Sequence, residues 1–186
     1  MKIDGISINS IIGVVNVQPS ANETITIPLP DSLKSKGKIL TLEIDFHKDT
    51  LINQGIYFFP KGTWDDYLKD STKEDLAYTM SEPTDAHFWM PCNDQPYDKA
   101  QSEISIIVPN GIEAASNGTL ISKESYDSTS TNWHWKSDEP IATYLMVADA
   151  STFVHWTQTH QRSSAPGDTV HLEYYCLLYT SDAADE

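Results

Sequence analysis

KILTLEIDFH, residues Lys38–His47, sets Ile39, Thr41, Glu43 and Asp45 against Leu40, Leu42, Ile44 and Phe46. A period of two residues places alternate side chains on opposite faces, so this stretch predicts a half-buried strand. The same reading extends downstream to SEISIIV (Ser102–Val108), NWHWK (Asn132–Lys136), ATYLMVA (Ala142–Ala148) and TVHLEYY (Thr169–Tyr175). All four are short, rich in β-branched and aromatic residues, and bounded by turn formers such as Pro109-Asn110-Gly111, Ser116-Asn117-Gly118, Asp138-Glu139-Pro140 and Pro166-Gly167-Asp168. Upstream, IDGISINS and ETITIPLPDSL read as a β-meander entered in its middle. TWDDYLKDSTKEDLAY (Thr63–Tyr78) has room for a helical turn or two, but its apolar residues do not sustain a period of 3.6. The fold class expected is all-β: a large curved antiparallel sheet or a β-sandwich.

Composition fits one such domain. With 186 residues, 39% of them hydrophobic and 10% aromatic, the chain is long enough and apolar enough to bury a core. No apolar run reaches the ~20 residues of a transmembrane helix. A formal charge of −15 repels phosphate, which makes nucleic acid and anionic membrane surfaces poor partners.

The end of the chain reads differently. CLLYTSDAADE (Cys176–Glu186) shows neither strand alternation nor a helix cap, and its back-translation resembles the transposase adapter of shotgun sequencing libraries. The expectation is a domain of residues 1–175 followed by read-through at 176–186, with the natural protein continuing past Tyr175. The amino end, which enters a strand directly and shows no signal-peptide pattern, is likewise expected to be truncated, which leaves the compartment open.

Chemistry visible in the spacing is sparse. None of the six histidines opens an H-E-x-x-H motif, and His155 and His160 are five apart, the wrong step for two ligands on one helical turn. His134 and His171 fall inside strand patterns, where a packed or surface histidine is the ordinary expectation. The acidic run Asp65-Asp66, Asp70, Glu74-Asp75 lacks the spacing of a calcium loop and reads as a solvated face. Cys92 and Cys176 form no C-x-x-C pair, and Cys92 reads as a buried thiol. Trp133, Trp135, Tyr144, Phe153 and Trp156 suit core packing at strand spacing; as a sugar-binding platform they would instead support a stand-alone module binding carbohydrate or protein.

EPTDAHFWMPCNDQPYDKAQSEISIIVPNGIEAASNGTL (Glu82–Leu120), followed by WHWKSDEPIATYLMVAD (Trp133–Asp149), carries a denser signal. It strongly resembles the N-terminal domain of aminopeptidase N-like zinc metallopeptidases, a family that includes leukotriene A hydrolase. The family pattern runs E-P-x-x-A-R-x-x-x-P-C-x-D-E-P-x-x-K-A, then V-P-x-G-x-x-A-x-S-N-G-x-L, then W-x-W-x-x-x-x-P-I-x-T-Y-L. Glu82-Pro83, Pro91-Cys92, Asp94, Lys99-Ala100, Ser116-Asn117-Gly118 and Thr143-Tyr144-Leu145 fall in it in order. The likeness spans Gly5 to Tyr175, weak before Leu76 and strong after it.

That resemblance implies a saddle-shaped β domain packed against a separate thermolysin-like domain, which carries the zinc, the catalytic base and the Gly-x-Met-Glu-Asn motif. Neither that motif nor an H-E-x-x-H sequence occurs in this chain. It therefore implies an aminopeptidase parent acting on peptide substrates with zinc, and a domain that holds no metal or catalytic residue of its own. One functional residue carries over: the glutamate that binds the substrate's free α-amino group corresponds to Glu82, whose alternative is an ordinary turn residue before Pro83. Three positions depart from the family. Met80 replaces a frequent glutamine, and is expected either to line an apolar wall near the first side-chain pocket or to mark a pocket that is built differently. His87 replaces arginine and Gln95 replaces glutamate; if these two positions pair in relatives, their joint change is compensating.

Overall fold

The computed structural model describes residues 1–8, 11–12, 24–29, 31–34, 37, 39–49, 51, 53–65, 70–71, 74–163, 167 and 169–177. Its strands, in chain order, are β1 (Lys2–Ile8), β2 (Ile11–Ile12), β3 (Leu42–His47), β4 (Gly55–Phe59), β5 (Trp64–Asp65), β6 (Asp70–Ser71) and β7 (Leu76–Met80). They continue with β8 (Ala100–Pro109), β9 (Glu113–Ser116), β10 (Thr119–Ser125), β11 (Ser130–Ile141), β12 (Ala148–Ser151), β13 (Val154–Gln161) and β14 (Thr169–Cys176). Among the described residues the helical pieces are three single 3-10 turns, Asp31–Leu33, Ala86–Phe88 and Thr143–Leu145. None is long and apolar enough to cross a membrane.

The pairing is antiparallel throughout: β2-β1-β3, β10-β11-β8, β4-β7-β12-β9, and the hairpins β13-β14 and β5-β6. The all-β class expected from the sequence holds. In β11, Trp133 and Trp135 stand two residues apart and so share a face, which they turn onto Val108 of β8 and Ala114 of β9. Ile106, Ile112, Leu120, Ala150 and Tyr175 close around them. The two tryptophan residues are 3% and 2% exposed, and burial of that size contributes about 4–6 kcal/mol each before entropy is counted, offset by about 1–3 kcal/mol each for indole N–H groups buried without a hydrogen-bond partner. Trp133 and Trp135 are core residues, as their spacing suggested, whereas Trp156 is half-buried and stacks on Tyr174, ring centroids 5.1 Å apart. Lys123 Nζ lies 3.9 Å from the Trp133 ring centroid, a cation–π cover at the edge of this core.

The structure corrects the local reading in four places. ATYLMVA does not form one strand: a 3-10 turn at Thr143–Leu145 precedes β12, because side chains elsewhere in the domain capture the backbone of this segment. TWDDYLKDSTKEDLAY holds β5, β6 and the start of β7 and no helical turn among its described residues. KILTLEIDFH is a strand only from Leu42, and its apolar side is scarcely covered, with Leu42 and Phe46 exposed. In ETITIPLPDSL, residues 24–29 form no strand and Asp31–Leu33 is a 3-10 turn; Pro28 and Pro30 remove two ladder donors from that stretch. Cys176 closes β14 opposite Val154, and residues 178–186 of the suspected adapter lie outside the described residues.

Candidate functional site

Glu82 is delivered by the end of β7. Leu76 to Met80 pairs with β4 on one side, where Gly55 faces Met80, and with β12 on the other. One position before Met80, the Thr79 N–H and hydroxyl both donate to Asp149 Oδ1, at 2.9 and 3.2 Å, and the Ala148 N–H donates to the Thr79 hydroxyl at 3.1 Å. Burial raises the Asp149 carboxyl above its ordinary aspartate value, and the two Thr79 donors pull against that rise.

Ser81 follows, 3% exposed. Its hydroxyl accepts a 3.0 Å hydrogen bond from the indole N–H of Trp89 and lies 3.4 Å from the Gly55 carbonyl, while its own carbonyl accepts the Asp85 N–H at 2.8 Å. Gly55 permits this closeness. It sits at φ +75°, and a Cβ there would come within 2.6 Å of the Asp85 carbonyl and 3.2 Å of the Trp89 ring. Between these anchors Glu82 is exposed, joined to Pro83 by a cis peptide bond. Among the described residues its carboxylate has no hydrogen-bond or ion-pair partner. Met80 is 58% exposed, so both residues singled out for substrate binding stand on the surface at one end of β7.

Just behind this turn, Asp94 gathers three segments. Its side chain is 8% exposed; Oδ2 accepts the His87 N–H at 3.1 Å and lies 2.8 Å from His87 Nδ1, while Oδ1 accepts the Thr143 hydroxyl at 3.0 Å. Position 87 therefore reaches residue 94. Beside it, burial and the Asp94 charge push the Cys92 thiol up to about 11, against a weaker pull from Thr143. Cys92 is half-buried, and both cysteines are free.

The Thr143 segment is held from its far end as well. Asn117 Nδ2 donates to the Leu145 carbonyl at 3.0 Å, its Oδ1 accepts the Val147 N–H at 2.7 Å, and Ser116 donates to the Val147 carbonyl at 2.6 Å. Gly118, at φ +89°, brings its backbone so close to β11 that any Cβ would overlap the Lys136 carbonyl. The P-C-x-D, S-N-G and P-I-x-T-Y-L motifs are thus one hydrogen-bonded assembly. Ser81, Trp89 and Asp149 were missed as supporting residues; the signal available was the placement of Trp89 inside the motif and of Asp149 at its end.

No group of three or more His, Cys, Asp or Glu side chains among the described residues is placed to hold a metal ion. His134 lies on β11, 2.8 Å from Glu103, and His155 on β13, 3.5 Å from Glu173; both are strand-surface pairs.

Residues 3–145 match the Peptidase M1 N-terminal domain family, and the chain belongs to that family. Glutamyl aminopeptidase of Rattus norvegicus is 35% identical over 141 residues, covering 75% of this chain and 14% of that protein. Glutamyl aminopeptidase of Sus scrofa is 36% identical over 100 residues, covering 54% of this chain and 10% of the relative. Among solved structures, Legionella pneumophila aminopeptidase A in complex with aspartic acid aligns over 99% of this chain and 20% of its own with a TM-score of 0.71 at 19% identity. An M1 zinc metallopeptidase from Deinococcus radiodurans aligns over 92% of this chain and 36% of its own, with a TM-score of 0.61 and 19% identity. These structures share the fold. The chain spans only about a tenth to a seventh of the curated relatives' length.

Proposed function

We propose that this chain is the non-catalytic N-terminal domain of a zinc-dependent aminopeptidase, and that Glu82 binds the free α-amino group of the peptide substrate. Residues 1–175 form the domain, 176–186 are adapter read-through, and the zinc with its ligands belongs to a domain that follows. The observation that carries this reading is the match to the M1 N-terminal family together with the state of Glu82: an exposed carboxylate without a partner among the described residues, on a turn braced at both sides. An α-ammonium, with a pKa near ~8, is largely cationic at neutral pH and pairs with such a carboxylate by a charge-assisted hydrogen bond of about 1.5–3 kcal/mol. An internal peptide bond has no such cation, so Glu82 would favour removal of the first residue over cleavage within the chain.

Met80, two positions earlier and exposed, supplies an apolar wall beside the same group. By itself the domain is inactive, since it carries no zinc motif. Extending the reading frame tests the assignment: Gly-x-Met-Glu-Asn and H-E-x-x-H should follow downstream. A frame that continues without either motif removes the peptidase reading. The names of the relatives make peptides beginning with glutamate or aspartate the first substrates to assay, beside leucine and alanine peptides.

A further inference from the structure

Glu82 has a surface position, and a surface glutamate samples many rotamers on a backbone free to shift; a carboxylate that must meet one ammonium group needs its backbone fixed. The structure contains a device that does this and that lies outside the substrate-contacting residues. Ser81, immediately before Glu82, is buried, and its hydroxyl is the acceptor of the Trp89 indole N–H at 3.0 Å. Its carbonyl is tied to the Asp85 N–H at 2.8 Å, so the backbone on either side of Glu82 and Pro83 is closed into a turn. Trp89 in turn follows the 3-10 turn Ala86–Phe88, with its N–H donating to the Ala86 carbonyl at 3.1 Å. The whole loop rests on Gly55, the only residue type that lets the Asp85 carbonyl and the indole edge approach this closely.

We propose that Ser81 and Trp89 form a clamp that positions Glu82 for substrate-amine recognition. This rests on the assignment of Glu82 to the amine. The indole hydrogen bond fixes the Ser81 rotamer, Ser81 fixes the strand exit, and the Glu82 carboxylate leaves the sheet in one direction. Trp89 and Ser81 touch no substrate; they act through Glu82.

The test is a set of variants of the full-length enzyme, assayed on an aminoacyl substrate, with thermal melts to establish folding. Trp89→Phe keeps an aromatic side chain, smaller than the indole, and removes the hydrogen bond; it should lower kcat/KM about tenfold. Ser81→Ala, which removes the acceptor instead, should give a similar loss, and the double variant should be no worse than either single one. In a Glu82→Gln background the Trp89→Phe loss should vanish, because the carboxylate it positions is gone. A Trp89→Phe loss of equal size in both backgrounds would make the contact merely structural and overturn the clamp. Retained activity in both Trp89→Phe and Ser81→Ala, with Glu82→Gln impaired, would overturn the clamp and leave the amine assignment standing. Full activity of Glu82→Gln would overturn both.

Discussion

Asp94 and Thr143, 49 residues apart in sequence, are joined by a 3.0 Å hydrogen bond from the Thr143 hydroxyl to the Asp94 carboxylate, whose other oxygen holds His87. This bond ties the turn that carries Glu82 to the segment between β11 and β12. Removing the carboxylate with Asp94→Ala leaves a buried hydroxyl and a backbone N–H without their acceptor, so chemical denaturation should show a loss of about 2–4 kcal/mol. Thr143→Val, which removes one donor only, should cost about 1 kcal/mol.

Gly118 and Gly111 have nearly the same left-handed φ, +89° and +92°, but different surroundings. Gly111 has open space where a Cβ would go, and Gly111→Ala should cost only the backbone strain, about 1 kcal/mol. Gly118→Ala adds an overlap with the Lys136 carbonyl and should cost upwards of about 3 kcal/mol, lost from the β10–β11 pairing. Melting temperatures of the two variants, compared in one buffer, check the difference.

Asp149 gives a pH prediction of definite sign. Burial raises its folded pKa above the ordinary value of 3.8, so in the window above 3.8 the folded state binds more protons than the unfolded one, and stability falls as pH rises through it. Asp149→Asn keeps an acceptor for the Thr79 N–H and removes this titration. Stability of the variant relative to the parent should therefore increase as pH rises above 3.8 until Asp149 is fully ionised. A constant difference across that range would mean the carboxylate is not perturbed in the fold.

Cys92 should be a slow nucleophile. A thiol raised from 9.0 to about 11 has about a hundredfold less thiolate at neutral pH, partly offset by the greater nucleophilicity of a more basic thiolate, so alkylation of Cys92 should lag behind that of a small free thiol by about tenfold or more until the protein is unfolded. Mass spectrometry of iodoacetamide-treated protein, native against denatured, measures the ratio.

Much of the fold was legible because β11 and β8 bury one face: NWHWK and SEISIIV alternate, and the structure pairs them antiparallel; TVHLEYY is also a strand, paired with β13, although its burial does not alternate and Leu172 is exposed. ATYLMVA misled because its apolar residues suit a strand, yet Asp94 and Asn117, far away in sequence, capture its Thr143 hydroxyl, Leu145 carbonyl and Val147 N–H. Propensity has no knowledge of such partners. KILTLEIDFH has the cleanest alternation in the chain and little burial, since a period states which residues share a face and not whether anything covers it. Glu82 was singled out only through the resemblance; as an isolated glutamate before proline it has no local signature. Its supports were harder still, because the bond from Trp89 to Ser81 depends on a turn geometry that the intervening residues do not announce.

The direct test of the central claim is Glu82→Gln in the full-length enzyme, with kcat/KM measured on aminoacyl substrates. The account predicts a loss of about 1.5–3 kcal/mol in transition-state stabilisation, roughly ten- to a hundredfold, because the amide keeps the shape and loses the charge that meets the ammonium. An unchanged kcat/KM would contradict it and remove Glu82 from the substrate site.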